Sequence, residues 1–209
     1  MNSTHSHTSQ KITLPASAVR LLTASILAAG IFLGPGFVRA ESSPALLDDF
    51  SDAESTSLKT KRILVSDNVA GGQSRMSQKS SGDTLTIEGE LSPPRGSPGW
   101  ANLILPLSPD NTSRDVSAYT GVRLRVKVVT GMLSVQACSP EVTNFDYHNA
   151  MVTARPDEFQ EVRIPFQKLK RSWSEQTPLN LKNITSINVL AVGFAKGPFA
   201  FAIDEIGFY

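Results

Sequence analysis

Apolar and polar residues alternate along most of this chain with a period of two. In residues 84–91, Leu85, Ile87, Gly89 and Leu91 interleave with Thr84, Thr86, Glu88 and Glu90. In residues 122–128, Val122, Leu124, Val126 and Val128 interleave with Arg123, Arg125 and Lys127. Successive side chains of a strand point to opposite sheet faces, so this alternation predicts strands with one buried and one solvated face. Further extended segments are predicted over residues 100–107, 132–137, 143–153, 159–166, 184–194 and 199–208. An entry strand is expected at Leu46-Leu47-Asp48-Asp49-Phe50, and Ile63-Leu64-Val65 is a short apolar run. Residues 92–99 and 106–113, rich in proline, glycine or asparagine, break the pattern and read as loops, as do the Ser-, Thr- and charge-rich residues 51–62. Short, turn-marked breaks without intervening amphipathic helices argue for an all-β antiparallel sandwich and against a βαβ sheet. Only a helical turn near residues 166–171 is expected.

One stretch has a different character. Asp67-Asn68-Val69-Ala70-Gly71-Gly72-Gln73-Ser74 pairs two glycines with a turn-forming Asp-Asn in front and Ser74 behind. Glycine allows positive φ without steric cost, and Asp and Asn side chains bond downstream amides. The stretch is expected to be a fixed surface corner rather than a helix.

Charge and composition divide the chain. Residues 1–40 hold Lys11, Arg20 and Arg39 and no acid, and the apolar run of residues 21–33 precedes Gly34-Pro35-Gly36 and Val38-Arg39-Ala40. This is the pattern of a secretory signal peptide cleaved after Ala40, leaving residues 41–45 as a short linker and 46–209 as one domain. The run is too short to span a bilayer comfortably, so no stable membrane span is expected after cleavage. Without the leader, Lys plus Arg falls from 20 to 17 against 19 acids, a net charge of −2. That excludes the basic footprint of a nucleic-acid binder. Cys138 and His148 are the lone cysteine and histidine of the remaining chain, so it has neither an internal disulfide nor the ligands for a Cys/His zinc site.

The candidate chemistry is sparse. Cys138 lies among Val135, Ala137 and Pro140 and reads as a buried structural thiol. Glu88 and Glu90 share a strand face at about 7 Å, but period-two acids usually mark a solvated face, as does the ladder Arg123, Arg125, Lys127. Aromatic residues remain. Trp100 is expected in the core, since Ala101, Leu103 and Leu105 continue its apolar strand. Phe145 and Tyr147 share a strand face with Asn149, and Trp173 lies in a polar loop. Tyr147, His148, Asn149 and Trp173 are the candidate binding surface, because aromatic platforms flanked by polar groups hold both sugars and protein partners.

Several segments occur together in a specific order: Asp48-Asp49-Phe50, the Asp67–Ser74 corner, Ile87-Glu88-Gly89-Glu90-Leu91, residues 119–127, residues 159–166 and residues 197–209. In this order and spacing the chain resembles the complex I intermediate-associated protein 30 family over residues 46–209. The resemblance implies a galactose-binding-like jelly roll and a non-catalytic role as an assembly or interaction factor for a protein partner. Ala70 stands where members often carry Met, and Ile63 and Leu64 stand where members often carry an aromatic residue. An exported protein cannot take over a mitochondrial role unchanged, and similar sandwiches bind carbohydrate. A carbohydrate-binding module holding a glycan on its concave sheet is therefore the second reading, and a secreted hydrolase the third. Similar sandwiches also hold a structural calcium where first and last strands meet, which makes Asp49 and Asp204 candidate ligands. No other cofactor is expected, and the secreted or periplasmic protein is expected to be a monomer.

Overall fold

Alternation of this kind buries one face of each strand only if a second sheet lies against it. The computed structural model of the protein, which describes residues 45–209, has two antiparallel sheets facing each other. The leader, its cleavage site and residues 41–44 of the linker lie outside the described residues.

The strands are β1 (Ala45–Asp48), β2 (Ile63–Ser66), β3 (Arg75–Ser81), β4 (Thr84–Leu91), β5 (Gly99–Pro106) and β6 (Gly121–Thr130). They continue with β7 (Met132–Cys138), β8 (His148–Met151), β9 (Gln160–Pro165), β10 (Ser186–Gly193) and β11 (Gly197–Phe208). One sheet has the order β3-β4-β11-β6-β9, with β1 also paired to β11; the other has the order β2-β5-β10-β7-β8. The inward residues of both meet in one core. Leu85, Ile87, Val122, Leu124 and Val126 come from the first sheet, and Leu103, Leu105, Val135, Ile187 and Val189 from the second.

Most predicted strands are present, and the differences have physical causes. β3 carries the sequence Arg-Met-Ser-Gln-Lys-Ser-Ser and is exposed along nearly its whole length. It is an edge strand whose polar and charged residues discourage further pairing, so it leaves no hydrophobic alternation to read. The strand expected over residues 143–153 shrinks to β8, because Phe145 adopts a positive φ of 63° and turns the chain before His148. Residues 51–62 are not simply an exposed loop. Arg62 is buried and donates through Nε and Nη2 to the buried Asp48 carboxylate, at 2.5 and 2.8 Å, with its guanidinium 4.8 Å from the Phe50 ring centre.

In β11 the inward set Phe199, Phe201, Ile203 shifts phase to Ile206 and Phe208. The register with β6 slips between Ile203 and Glu205, a bulge that turns Asp204 and Glu205 both outward. β1 and β4 lie end to end on one edge of β11, and Ala45 faces Phe208. The predicted corner begins as a 3-10 turn over Asp67–Ala70 and closes at Gly71 with φ 83°. The helical turn expected after residue 166 is a short 3-10 turn, Phe166–Lys168.

Candidate functional site

The two sheets present outward faces of opposite character. On the β6 side of the first sheet, Arg123 pairs with Glu205, Arg125 with Asp204, and Arg163 with Glu161 at 2.6 Å. Arg125 and Lys127 also flank the Phe159 ring, at 5.2 and 5.6 Å from its centre. The basic ladder is thus a self-neutralised solvent face. Glu88 has Ser77 and Ala200 as cross-strand neighbours and Glu90 has Arg75 and Pro198, so neither faces a second carboxylate across the ladder.

The outward face of the five-stranded sheet is uncharged. The registers set Trp100, Val192 and Met132 in one row. The next rows are Val65, Asn102, Leu190, Ser134, Met151, and then Ile63, Ile104, Asn188, Gln136, Asn149. Pro106, Ser186 and Cys138 form the last. Trp100 therefore lies half-buried on the outer face and not in the core as expected, because Ala101, Leu103 and Leu105 take the inward positions. Cys138 is buried as expected, accepts a hydrogen bond from Asn188 Nδ2 at 3.2 Å, and has its thiol pushed up to about 12 by burial.

Beyond β8, two loops are fastened around Asp146. This residue falls between two aromatics at a turn, and its carboxylate accepts from the amides of Ser172 (2.8 Å), Trp173 (3.0 Å) and Ser174 (2.7 Å). Arg171 donates through Nε to the Asp146 carbonyl and through Nη2 to Asn144 Oδ1, while Asn144 Nδ2 donates to Ser174 Oγ. Burial raises the Asp146 carboxyl, and the three amide donors more than offset this, holding it below its ordinary value. The fastened loops display aromatic side chains. Phe145 is 76% exposed and Trp173 69% exposed, and Phe145 meets Tyr147 edge-on with ring centres 6.5 Å apart. Burial raises the Tyr147 hydroxyl above its ordinary value.

Of the four residues expected to form a binding surface, Tyr147 and Trp173 are brought to one corner. His148 is not at the surface. Its side chain points inward, and Nε2 bonds the Thr177 carbonyl at 2.7 Å. A carbonyl only accepts, so Nε2 donates, and the buried Nδ1 has no partner among the described residues. Asn149 is a strut, with Nδ2 donating to the Tyr147 carbonyl and Ser172 Oγ and its backbone pairing Lys170. Asp146 and Arg171 were not singled out by the sequence, since one acid and one base in polar loops carry no spacing signal.

The corner residues mainly hold structure, and Asn68 borders a recess with Val65 at the edge of the sheet. Asp67 is buried, and its carboxylate accepts from the Ser74 amide (2.9 Å), the Ser74 hydroxyl (2.6 Å) and the Trp100 amide (3.2 Å). Asn68 is exposed and its carbonyl receives the Gly71 amide. The expected calcium ligands are engaged by protein donors: Asp49 accepts from the amide and hydroxyl of Ser51, and Asp204 pairs with Arg125. Among the described residues no group of three or more His, Cys, Asp or Glu is placed to hold a metal ion. One surface recess lies along the edge strands β2 and β3, lined by Val65, Asn68, Val69 and Arg75.

Comparison with solved structures gives the same architecture. A family 11 carbohydrate-binding module from Clostridium thermocellum, in complex with a β-1,3-1,4-mixed-linked tetrasaccharide, is similar with a TM-score of 0.57 and 18% identity, over 79% of this chain and 94% of that one. The family 11 module of the cellulosomal cellulase Lic26A-Cel5E of Clostridium thermocellum is similar with a TM-score of 0.57 and 17% identity, over 80% and 95%. An agarase matches with a TM-score of 0.54 and 10% identity over 79% of this chain but only 24% of its own. At these identities the likeness establishes the fold alone, a β-sandwich. No curated protein sequence matches the chain. A family model described as complex I intermediate-associated protein 30 matches residues 49–203. With most of its β-sandwich inside that match, the chain belongs to the complex I intermediate-associated protein 30 family.

Proposed function

We propose that this protein is an exported, non-catalytic binding module that holds a glycan at the corner formed by Phe145, Tyr147 and Trp173. The observation that carries this reading is the fastening of the two aromatic loops by Asp146. Exposed aromatic side chains held in place by buried hydrogen bonds lose little entropy on binding, and such rings stack on sugars while neighbouring amides take their hydroxyls. The acid-free leader with its apolar run supports export.

The test is a thermal-shift screen of the purified protein against mixed-linked β-glucan, agarose and other oligosaccharides. A ligand at 100 times its dissociation constant adds about 2.7 kcal/mol to the folded state, an easily read shift. A saccharide-specific rise that Tyr147→Ala or Trp173→Ala removes supports the reading, and no rise with any saccharide overturns it.

A protein partner is the second reading. Met132, Met151 and Phe194 expose apolar side chains, and the family's description refers to association with a complex I intermediate. Crosslinking in the exported fraction that captures one protein, and that Met132→Ser with Met151→Ser abolishes, would favour it.

A further inference from the structure

We propose that the free edge of β2 takes an extended, acidic peptide segment of a partner protein as an added strand. This site is separate from the aromatic corner, which lies beyond the opposite edge of the same sheet, and it goes beyond the glycan reading.

The five-stranded sheet ends in β2 on one side and β8 on the other. The β8 edge is covered, because Asn149 and Lys170 exchange both of their backbone hydrogen bonds there. β2 pairs with β5 alone, and among the described residues no backbone group of Ile63, Leu64, Val65 or Ser66 bonds beyond that pair. Exposed edges are ordinarily blunted by charge, proline or a bulge. β3, the edge of the facing sheet beside β2, follows that rule with Arg75 and Lys79. β2 does not. Its sequence is Ile-Leu-Val-Ser, its register with β5 has no slip, and Ile63 is 46% exposed. An edge left apolar and unpaired is one that a second chain can extend through main-chain hydrogen bonds.

The side chains around this edge define what the added strand must carry. Leu64 and Met76 come from opposite sheets, are partly buried against the core, and line one recess with Val65, Val69 and Arg75. Val69 is 75% exposed. Arg75 is the one charged residue of this recess; it is exposed and makes no ion pair among the described residues. The acid opposite it in the ladder, Glu90, bonds Lys196 at 3.2 Å instead. Successive side chains of an added strand alternate between faces. One set covers Leu64 and Met76, the other continues the outward row of Ile63 and Val65, and a carboxylate meets the Arg75 guanidinium. β2 contains no acid, so a second copy of the chain adding its own β2 brings no carboxylate on the strand.

Panning the purified full chain against a random dodecapeptide library on phage tests this. The expected peptides carry apolar residues at alternate positions and at least one aspartate or glutamate. Synthetic copies should bind about tenfold more weakly to Arg75→Glu and to Ile63→Lys, and equally well to Tyr147→Ala. Ile63 and Arg75 are exposed, so both variants should keep the parent melting temperature. N-methylation of alternate amides should abolish binding on one edge of the peptide and spare it on the other, as strand addition requires. No enriched peptide, or peptides that bind both variants at full strength, overturns the proposal. Binding that survives methylation of either edge overturns strand addition, and enriched peptides without an acid overturn the acidic class. A concentration-dependent dimer that Ile63→Lys dissolves assigns the edge to a second copy and overturns the partner peptide. None of these results bears on the glycan reading, which is tested at Tyr147 and Trp173.

Discussion

Asp146 shows how much one side chain can organise when three amides bond its carboxylate and the Arg171 guanidinium lies 3.9 Å from it. Three donors from consecutive residues converge on a carboxylate with no exposed surface. Asp146→Ala leaves those amides unmatched at an expected cost of about 2 kcal/mol. It should also release Arg171, making the bond after that residue a new trypsin site, read by mass spectrometry of the digest. The pH response follows from the direction of the shift. A carboxyl held below its ordinary 3.8 stabilises the fold above that pH and loses its contribution as pH falls through the folded-state value. The native protein should therefore resist cleavage at Arg171 down to about pH 4, a range reached with acid-stable proteases of matched specificity. Cys138 behaves in the opposite sense. Its thiol is raised by burial, so its contribution is present below about 9 and fades as pH rises toward about 12. Native protein at pH 8 should react with a thiol reagent far more slowly than protein in denaturant, and equal rates would contradict the burial.

At the scale of elements, the Asp67–Ser74 corner links the two sheets. The Ser74 hydroxyl donates to Asp67 and accepts from the Ser92 amide, joining the corner to the residue after β4. A side chain at Gly72 would overlap the Asp67 carboxylate. Gly72→Ala should then lower stability by about 2 kcal/mol, or a melting temperature roughly 4–8 °C lower, whereas Asn68→Ala at an exposed position should change little. This corner was legible because its residue types have few other uses. The strands with one solvated face, β4 and β6, were legible for the same kind of reason. The five-stranded sheet was harder. Its outward residues are themselves largely apolar, so the segment Trp-Ala-Asn-Leu-Ile-Leu in β5 reads as continuous core, and Trp100 was placed on the wrong side. Asn102, the one amide in that segment, was the available signal. Asp48 and Arg62 were missed because a buried ion pair between residues 14 apart in the sequence has no local pattern. Breaking it with Arg62→Ala should cost about 3–5 kcal/mol, measurable by urea denaturation.

At the scale of the molecule, the sandwich separates its chemistry by side. Charges are gathered and neutralised on one sheet, and the other is left free of them. The proposed export has its own test: if the leader is cleaved after Ala40, N-terminal sequencing of the protein from the producing cells should read Glu41 first. The pairing of Ala45 with Phe208 has a practical meaning of its own. The chain enters and leaves the sandwich at neighbouring points on the charged sheet, so the domain is topologically close to a ring. Joining residue 209 to residue 45 through a few glycines and opening the chain in the loop of residues 92–98 should give a permuted protein with the same outward face. New termini would then lie next to β5, where a fluorophore or a surface tether could report on whatever settles there.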